Sequence, residues 1–280
     1  MTTKKIILFG AGDGGYRAFL SLRQEYEVIA FVDNNVQKHG STLLSRPVIS
    51  PAQINDYSYD YAIIANIYGK QVRKQLVEEL GVPEAKIIDY YHNDMLDSRV
   101  ATLRQVADEI YFNNIEGCVA ELGVFQGEFA KYINQSFYDR DFYLFDTFEG
   151  FDERDILNEQ AKDFSDAQVG EFKDTSIDTV LNKMVSRDRC FIKKGYFPQT
   201  AANLEEKFVF VSIDVDLYSP IIEGLRYFYP RMQEGGYIFV HDYNSSRFSG
   251  VKSAIRDFSK EYNIKYVPIS DMCGSAVIVK

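Results

Sequence analysis

Residues 118–127 read CVAELGVFQG and decide the fold class of the larger part of the chain. The apolar run Cys118–Leu122 is typical of a strand that is buried on both faces of a parallel sheet. It leads into a Gly-x-x-x-Gly loop, and apolar residues at helical spacing follow from Phe129. A strand, a glycine loop and a helix in this order predict a unit of a doubly wound α/β domain.

The same alternation continues to the end of the sequence. Six further apolar runs predict a sheet of seven strands in all. These runs are Phe142–Phe145, Cys190–Lys193, Phe208–Ile213, Tyr237–Val240, Ile264–Pro268 and Ser275–Val279. The stretch 152–179 between two of these strands is acidic and weakly periodic, which is more typical of a mobile lid over a site than of a disordered surface loop.

The N-terminal part repeats the pattern on a smaller scale. About four strands alternate with helical segments, at Ile6–Phe9, Val28–Val32, Tyr61–Ala65 and 86–89. The alternation pauses in a polar stretch after residue 89. We therefore expect two doubly wound, Rossmann-like α/β domains, residues 1–95 and 96–280.

The first strand leads into the glycine loop 10–15, which reads GAGDGG and matches Gly-x-Gly-x-x-Gly. Gly10 permits a tight turn, Gly12 lets backbone N–H groups approach a phosphate, and Gly15 lets the helix pack close to the strand. Asp33 ends the next strand, where a carboxylate can accept hydrogen bonds from ribose hydroxyls. The loop predicts a nucleotide site; the alternative is a domain that has lost its ligand and serves packing or oligomerisation.

Acidic residues end two successive strands of the C-terminal domain. Glu121 precedes Gly123 and Gly127, which clear space for a nucleoside with a charged aliphatic tail. The Glu121 carboxylate can attract a cationic amino or sulfonium group. Asp146 follows the next strand, where it can meet ribose hydroxyls. Together these residues predict a second nucleoside site.

The densest group of ionisable residues lies in VSIDVDLYSP (211–220) and EGGYIFVHDY (234–243). If the two strands are neighbours, about 4.8 Å apart, then Asp214, His241 and Asp242 converge within reach of one divalent ion. Oxygen ligands suit Mg²⁺, whereas the imidazole favours Mn²⁺, Fe²⁺ or Zn²⁺. The alternative is that Asp214 caps a turn and Asp242 caps the following helix.

Five motifs jointly resemble those of the S-adenosylmethionine-dependent sugar O-methyltransferases of the macrocin O-methyltransferase type. They are ELGVFQG (121–127), FDTFEGF (145–151), KGYFPQT (194–200), IDVDLYS (213–219) and GGYIFVHDY (235–243). The resemblance implies a seven-stranded class I methyltransferase fold with a Mg²⁺ ion that holds vicinal sugar hydroxyls. It also implies bound S-adenosyl-L-methionine, at Glu121, Gly123, Phe125, Gly127, Asp146 and Thr147.

The same resemblance implies that Asp214 and Asp242 ligate the metal and that Asp214 is a general base. His241 departs from the family pattern, which has two adjacent aspartates at this point. An imidazole can ligate a metal with one negative charge fewer, or act as a base, since an unperturbed histidine titrates near about pH 6.5. Asp214 and His241 are therefore the catalytic candidates, and Mg²⁺ or Mn²⁺ is the expected ion.

A second resemblance concerns the N-terminal domain. FVDNN (31–35), Gly40 and PVI (47–49) resemble the small nucleotide-sugar-binding Rossmann domains of bacterial sugar-modifying enzymes. It implies that this domain presents a nucleotide-diphosphate sugar rather than NAD.

Composition narrows the class of protein. The chain has 41 acidic and 31 basic side chains and a formal charge of −10, which argues against binding of nucleic acid. No apolar run is long enough to span a membrane, and three scattered cysteines provide neither a disulfide framework nor a zinc site. We expect a cytoplasmic homo-oligomer whose partners are small molecules, namely a sugar or nucleotide sugar.

The preferred interpretation is an S-adenosylmethionine-dependent O-methyltransferase that acts on a sugar hydroxyl with the help of a divalent metal, in polysaccharide or natural-product glycan biosynthesis. One alternative is a nucleotide-sugar-binding or assembly protein with a vestigial methyltransferase domain. Another is an NAD-dependent oxidoreductase that uses the N-terminal glycine loop.

Overall fold

The computed structural model describes residues 3–66, 68–90, 98–271 and 273–280. The chain forms two compact units, Met1–Ala101 and Thr102–Lys280. The predicted domain boundary near residue 95 lies outside the described residues, so its position stays a prediction.

The N-terminal unit is built around a six-stranded sheet. Its strands are β1 (Lys5–Phe9), β2 (Glu27–Val32), β3 (Thr42–Leu43), β4 (Arg46–Ile49), β5 (Tyr61–Ile64) and β6 (Ile87–Ile88). Their order is β3-β4-β2-β1-β5-β6, and every adjacent pair is parallel except β3 and β4. Helix α1 (Asp13–Leu22) follows β1, and α2 (Gly69–Lys74) follows β5 and continues as a π-helical turn over Gln75–Glu79.

The expectation of about four strands missed β3 and β4. The apolar part of β4 is only two residues long and follows Pro47, so it carries no periodic signal. The strand forms because Val48 and Ile49 pair with Phe31 and Val32 of β2. A long-range contact, rather than the local sequence, makes this segment extended.

The C-terminal unit contains the predicted seven-stranded sheet, in the order β12-β13-β11-β10-β7-β8-β9. Its strands are β7 (Cys118–Leu122), β8 (Phe142–Asp146), β9 (Cys190–Lys194), β10 (Phe208–Ile213), β11 (Met232–Val240), β12 (Val267–Ile269) and β13 (Ser275–Val279). Strand β13 is antiparallel to both of its neighbours, and the other adjacent pairs are parallel.

Six helices accompany these strands within the described residues. They are α3 (Ser98–Phe112), α4 (Ala130–Ser136), α5 (Glu153–Ala161), α6 (Ile177–Leu181), α7 (Tyr218–Phe228) and α8 (Ser249–Glu261). All six residues of β10 are buried. Val211 packs in the core that includes α7 and α8, whereas Phe210 packs in the core that includes α3 and α4. Burial on both faces explains why β10 is apolar at every position except Ser212.

The strand order reverses between β7 and β10, because β8 and β9 extend the sheet on one side and β11 on the other. Open α/β sheets bind their ligands at the carboxyl ends of the strands beside such a switch point. The predicted site residues of this unit lie at the carboxyl ends of β7, β8, β10 and β11 or in the loops that follow these strands.

Candidate active site

Residues that directly follow the central strands form a row across the carboxyl edge of the C-terminal sheet. The N–H groups of Gly123, Asp214 and His241 each donate to a carbonyl of the neighbouring strand, at 2.8–3.0 Å. These bonds extend the parallel ladders by one step beyond the strands. They hold the starts of three loops side by side.

Gly123 lies at the switch point and has φ +84°. A Cβ atom there would lie 2.0 Å from the carbonyl oxygen of Asp214. Any other residue would push the β7 loop away from β10, so the close approach of the two loops depends on glycine. Gly127 also has a positive φ, of +79°, at the other end of the loop.

Asp146 holds this glycine loop in place. Its Oδ2 accepts from the N–H groups of Val124 at 2.7 Å and Phe125 at 2.9 Å, and its Oδ1 accepts from Phe148 at 2.6 Å. A carboxylate offers about four lone-pair sites, so Asp146 retains capacity for a ribose hydroxyl. Thr147 braces the next turn by donating to the carbonyl of Gly150 at 2.8 Å.

Glu121 lies inside the sheet rather than in the loop. It is 1% exposed and accepts a hydrogen bond from the Ser212 hydroxyl at 3.2 Å. Its side chain meets that of Ser212 on the neighbouring strand β10, two residues before the glycine loop begins.

Asp214, His241 and Asp242 meet beside this loop, and one ligand atom from each lies within 4.8 Å of the others. The Nδ1 atom of His241 is 3.2 Å from Asp214 Oδ1 and 2.9 Å from Asp242 Oδ2. Burial alone would raise the pKa of Asp242, but the hydrogen bond and charge of His241 outweigh it and lower that pKa. Two carboxylates and an imidazole form a donor set that fits a divalent ion.

Asp216, for which the sequence predicts no role, lies in the same cluster. Burial and the Asp214 carboxylate raise the pKa of Asp216 well above its ordinary value, and its side chain hydrogen-bonds Asp242. Both Asp216, with φ 57°, and Asp242, with φ 58°, adopt the left-handed conformation. The repeated acid in Ile-Asp-Val-Asp was the available signal, but alternation along a strand gives no sign of this turn.

The acidic stretch after β8 contains two helices, α5 and α6, and reaches loops on both sides of the switch point. Gln126 of the glycine loop donates to the Asp174 carbonyl at 2.9 Å. Arg247, in the loop after β11, pairs with Asp166 at 2.8 Å and Glu171 at 2.7 Å. The stretch is thus tied to both the glycine loop and the loop that follows His241 and Asp242.

Asp155 on α5 is a buried acid that faces the loop after β9. It accepts a hydrogen bond from the Tyr196 hydroxyl at 2.9 Å. Burial raises its pKa to about 6. The contact links the acidic stretch to a third strand-end loop.

The N-terminal unit has a cavity of about 520 Å³ at the carboxyl ends of its central strands. Gly10, Gly12 and Asp33 line it. Gly15 does not line the cavity. It lies in α1 where the helix packs against the turn at Gly10, and a Cβ at Gly15 would lie 1.9 Å from the Gly10 carbonyl oxygen. The four predicted residues therefore divide into three that face the cavity and one that serves packing.

Asp33 is engaged with its own glycine loop and with a lysine that the sequence analysis did not single out. Its carboxylate accepts from the N–H groups of Ala11 and Asn35, both at 2.8 Å, and from Lys38 Nζ at 2.9 Å. Burial would raise the pKa of Asp33, but the Asn35 and Lys38 hydrogen bonds outweigh it and lower that pKa. Lys38 follows the strand by six residues in an ordinary turn, so no motif marked it.

Solved structures resemble this chain over about two thirds to three quarters of its length. The O-methyltransferase NovP matches with a TM-score of 0.53 and 20% identity, over 65% of this chain and 79% of that chain. The calicheamicin methyltransferase CalS11 matches with a TM-score of 0.53 and 15% identity, over 75% of this chain and 91% of that chain. At these identities the likeness shows the fold, which is that of a class I methyltransferase.

Family models cover nearly the whole chain. Residues 90–280 match the macrocin-O-methyltransferase (TylF) model, and residues 2–88 match the model of C2185-like N-terminal domains. The chain belongs to the macrocin-O-methyltransferase (TylF) family. It is therefore an O-methyl-transferring enzyme that uses S-adenosylmethionine, and the predicted family, fold class and enzyme class are confirmed.

No curated protein matches the chain. In the part of the chain that the structure describes, no helix is long and apolar enough to cross a membrane. The family membership favours the methyltransferase interpretation over the assembly protein with a vestigial domain and over the oxidoreductase.

Proposed function

We propose that the enzyme transfers the methyl group of S-adenosylmethionine to a hydroxyl of a nucleotide-activated or glycan-bound sugar, with a divalent ion held by Asp214, His241 and Asp242. One observation carries the proposal. Two carboxylates and an imidazole converge beside a glycine loop, at the switch point of a methyltransferase fold. A donor nucleoside on that loop would bring its methyl group to the same edge of the sheet as the three side chains.

The glycine loop and Asp146 would hold the nucleoside. The backbone bonds from Val124 and Phe125 to Asp146 fix the loop before any ligand binds, so little ordering is needed on binding. The buried Glu121 carboxylate, two residues before Gly123, would attract the positive charge of the donor. Thr147 and Phe125 shape the rim of this site.

The reaction forms a bond between the acceptor oxygen and the methyl carbon and breaks the sulfur–methyl bond in line with it. The acceptor hydroxyl must lose its proton, and the Asp214 carboxylate is the proposed base. A bound divalent ion would polarise that hydroxyl and lower its pKa. Asp242 and His241 orient each other through the Nδ1 contact of 2.9 Å.

We also propose that the N-terminal unit binds a nucleotide-diphosphate sugar. Lys38 Nζ lies at the glycine loop, 3.0 Å from the carbonyl oxygen of Ala11, and supplies a cation for a diphosphate. Amide side chains also line the cavity, at Asn34, Asn66, Gln71 and Gln75. Asn34 and Gln75 bond each other at 3.0 Å, and a base or sugar would exchange with that contact. The Asp33 carboxylate is already bonded to Lys38. This contact favours a nucleotide-diphosphate sugar over NAD, whose ribose 2′-hydroxyl is typically bound by a carboxylate at this position.

The test is a methyl-transfer reaction with S-adenosylmethionine that carries a deuterated methyl group. The enzyme is incubated with nucleotide-diphosphate sugars, with and without a chelator, and the products are analysed by mass spectrometry. We expect the label on a sugar hydroxyl and less product after chelation. Binding of the donor without label on any sugar, or labelling that chelation does not change, would contradict the sugar or the metal part respectively. A cytoplasmic location and a homo-oligomeric state stay predictions.

A further inference from the structure

We infer that the strand-end cluster of Asp214, His241 and Asp242 selects a first-row transition ion, such as Mn²⁺, Fe²⁺, Co²⁺ or Zn²⁺, over Mg²⁺. The inference rests on the proposed function, because it concerns the ion that would assist methyl transfer. It goes further by deriving the identity of the ion from the donor atoms of this chain.

The donor atoms of the cluster favour a transition ion over Mg²⁺. Mg²⁺ binds through oxygen and gains little from an imidazole, whereas imidazole nitrogen is a good ligand for zinc and iron. Here the nitrogen lies between the two carboxylates, 3.2 Å from Asp214 and 2.9 Å from Asp242. An ion that reaches both carboxylates therefore meets the nitrogen as well.

The charge of the donors points the same way. A neutral imidazole carries one negative charge fewer than a carboxylate at the same position. Mg²⁺ depends on anionic oxygens for its affinity, so the replacement of a carboxylate by a neutral ring weakens Mg²⁺ binding most. Transition ions recover the loss through the nitrogen bond, and their affinity for such sites rises along the series from manganese to copper.

The backbone that carries the imidazole is also held in place. The backbone N–H of His241 donates to the Ile213 carbonyl at 3.0 Å, which continues the β-ladder. The next residues bond to the start of β13, since Tyr243 N–H donates to Gly274 at 2.9 Å. The Cys273 thiol hydrogen-bonds Asp242 and adds a polarisable sulfur beside the cluster. Preorganisation of this kind makes the nitrogen a part of the site.

The test is a metal competition on the full chain. Protein stripped by a chelator is dialysed against Mn²⁺ in the presence of excess Mg²⁺. Its metal content is measured by elemental mass spectrometry, and the manganese-loaded protein is examined by pulsed electron paramagnetic resonance. We expect manganese to be retained and to show the hyperfine coupling of a directly bound nitrogen.

Two variants sharpen the result. His241→Asp should lose the nitrogen coupling and lower the preference for Mn²⁺ over Mg²⁺ by about tenfold or more. The matched control is His39→Asn, which alters a histidine of the N-terminal unit that bonds the Asp33 carbonyl. It should leave both readouts unchanged. Because the wild-type spectrum needs no variant, the test holds even if His241→Asp folds poorly.

The inference is overturned if wild-type protein binds no ion, binds Mg²⁺ as tightly as it binds Mn²⁺, or shows no nitrogen coupling. Titration with S-adenosylmethionine and the labelled methyl-transfer reaction are run on the same preparations. Methyl transfer without nitrogen coupling would refute the inference alone. Failure to bind S-adenosylmethionine would refute the proposed function instead.

Discussion

The glycine loops of the two units are held by the same backbone device. Asp33 accepts from Ala11, one residue after Gly10, at 2.8 Å, and Asp146 accepts from Val124, one residue after Gly123, at 2.7 Å. Each acid also accepts from the N–H two residues further along its own loop, at 2.8 and 2.6 Å. In both units the strand-end acid shapes the loop before it can serve a ligand.

The two sites differ in the charges that surround this device. In the N-terminal unit Lys38 pairs with Asp33, whereas in the C-terminal unit Asp214 and Asp242 gather around His241. The first arrangement suits a ligand that brings phosphates, and the second suits one that brings a cation. The glycine loop and the acid that ends the next strand therefore specify the shape of the loop in both units. Residues outside these two features determine which ligand binds.

The strongest test of this difference is Asp214→Asn. Loss of a positioned base and metal ligand should lower kcat by about 10²–10⁴-fold. Binding of S-adenosylmethionine should remain, because the glycine loop and Asp146 are unchanged. Steady-state methyl transfer and calorimetric titration with S-adenosylmethionine measure the two effects. The control is Asp163→Asn, an exposed position with φ 54° that tolerates asparagine. Full activity in Asp214→Asn would refute the proposed role.

The shared device is tested by alanine at the two points of closest backbone approach. Gly15→Ala and Gly123→Ala place a Cβ 1.9 and 2.0 Å from a carbonyl oxygen. Each should cost about 2–4 kcal/mol of unfolding free energy in its own unit, measured by denaturant titration. Gly12→Ala is the control, because its Cβ would meet only Lys38 Nζ, at 3.9 Å. Equal stability of all three variants would show that the loops are not closely packed.

Asp155 tests the acidic stretch that reaches the C-terminal site. Its raised pKa of about 6 means that the folded state holds the proton more tightly than the unfolded chain. The contribution of Asp155 to stability should therefore fall as the pH rises from about 4 to about 6, by at most about 3 kcal/mol, and should not recover above that range. Asp155→Asn removes this dependence, so its stability relative to wild type should increase over that range.

Asp152, the N-cap residue of α5, provides a control of opposite sign. The Arg154 hydrogen bond lowers the pKa of Asp152, so its contribution to stability is lost as the pH falls. Asp152→Asn should therefore lose stability relative to wild type as the pH rises. Thermal unfolding followed at several pH values measures both variants. A difference between wild type and Asp155→Asn that does not vary with pH would refute the buried-acid interpretation.

The smallest expected effect belongs to Lys38→Met. Removal of one cation from the N-terminal cavity should weaken binding of a nucleoside diphosphate by about tenfold, with donor binding in the C-terminal unit unchanged. Calorimetric titration with uridine diphosphate and with S-adenosylmethionine measures both. Lys70→Met, an exposed position on α2, is the matched control. An equal loss in both lysine variants would show that Lys38 acts only through overall charge.

Much of this architecture could be predicted because each piece is marked locally. The strand β10 is apolar at five of its six positions and is buried along its whole length, so its sequence alone predicts a central strand. The meeting of Asp214 with His241 and Asp242 follows from the rule that parallel neighbours end at the same edge. The fold therefore needed only the pattern of runs, glycines and strand-end acids.

The missed features lack such a mark. Strand β4 forms because β2 pairs with it, and Lys38 matters because a turn returns it to the glycine loop. Asp216 joins the cluster because its backbone turns into the left-handed conformation. The local periodicity of the sequence predicts none of these contacts.

The sequence by itself determined the two α/β domains, the family and the edge of each sheet at which ligands bind, because burial and backbone turns impose residue types at fixed spacing. Only the tertiary structure decided that Glu121 is buried, that Asp33 pairs with Lys38 and that the His241 nitrogen faces two carboxylates. These facts depend on distances between segments far apart in the chain. Such distances set charge and coordination, and therefore the chemistry of each site.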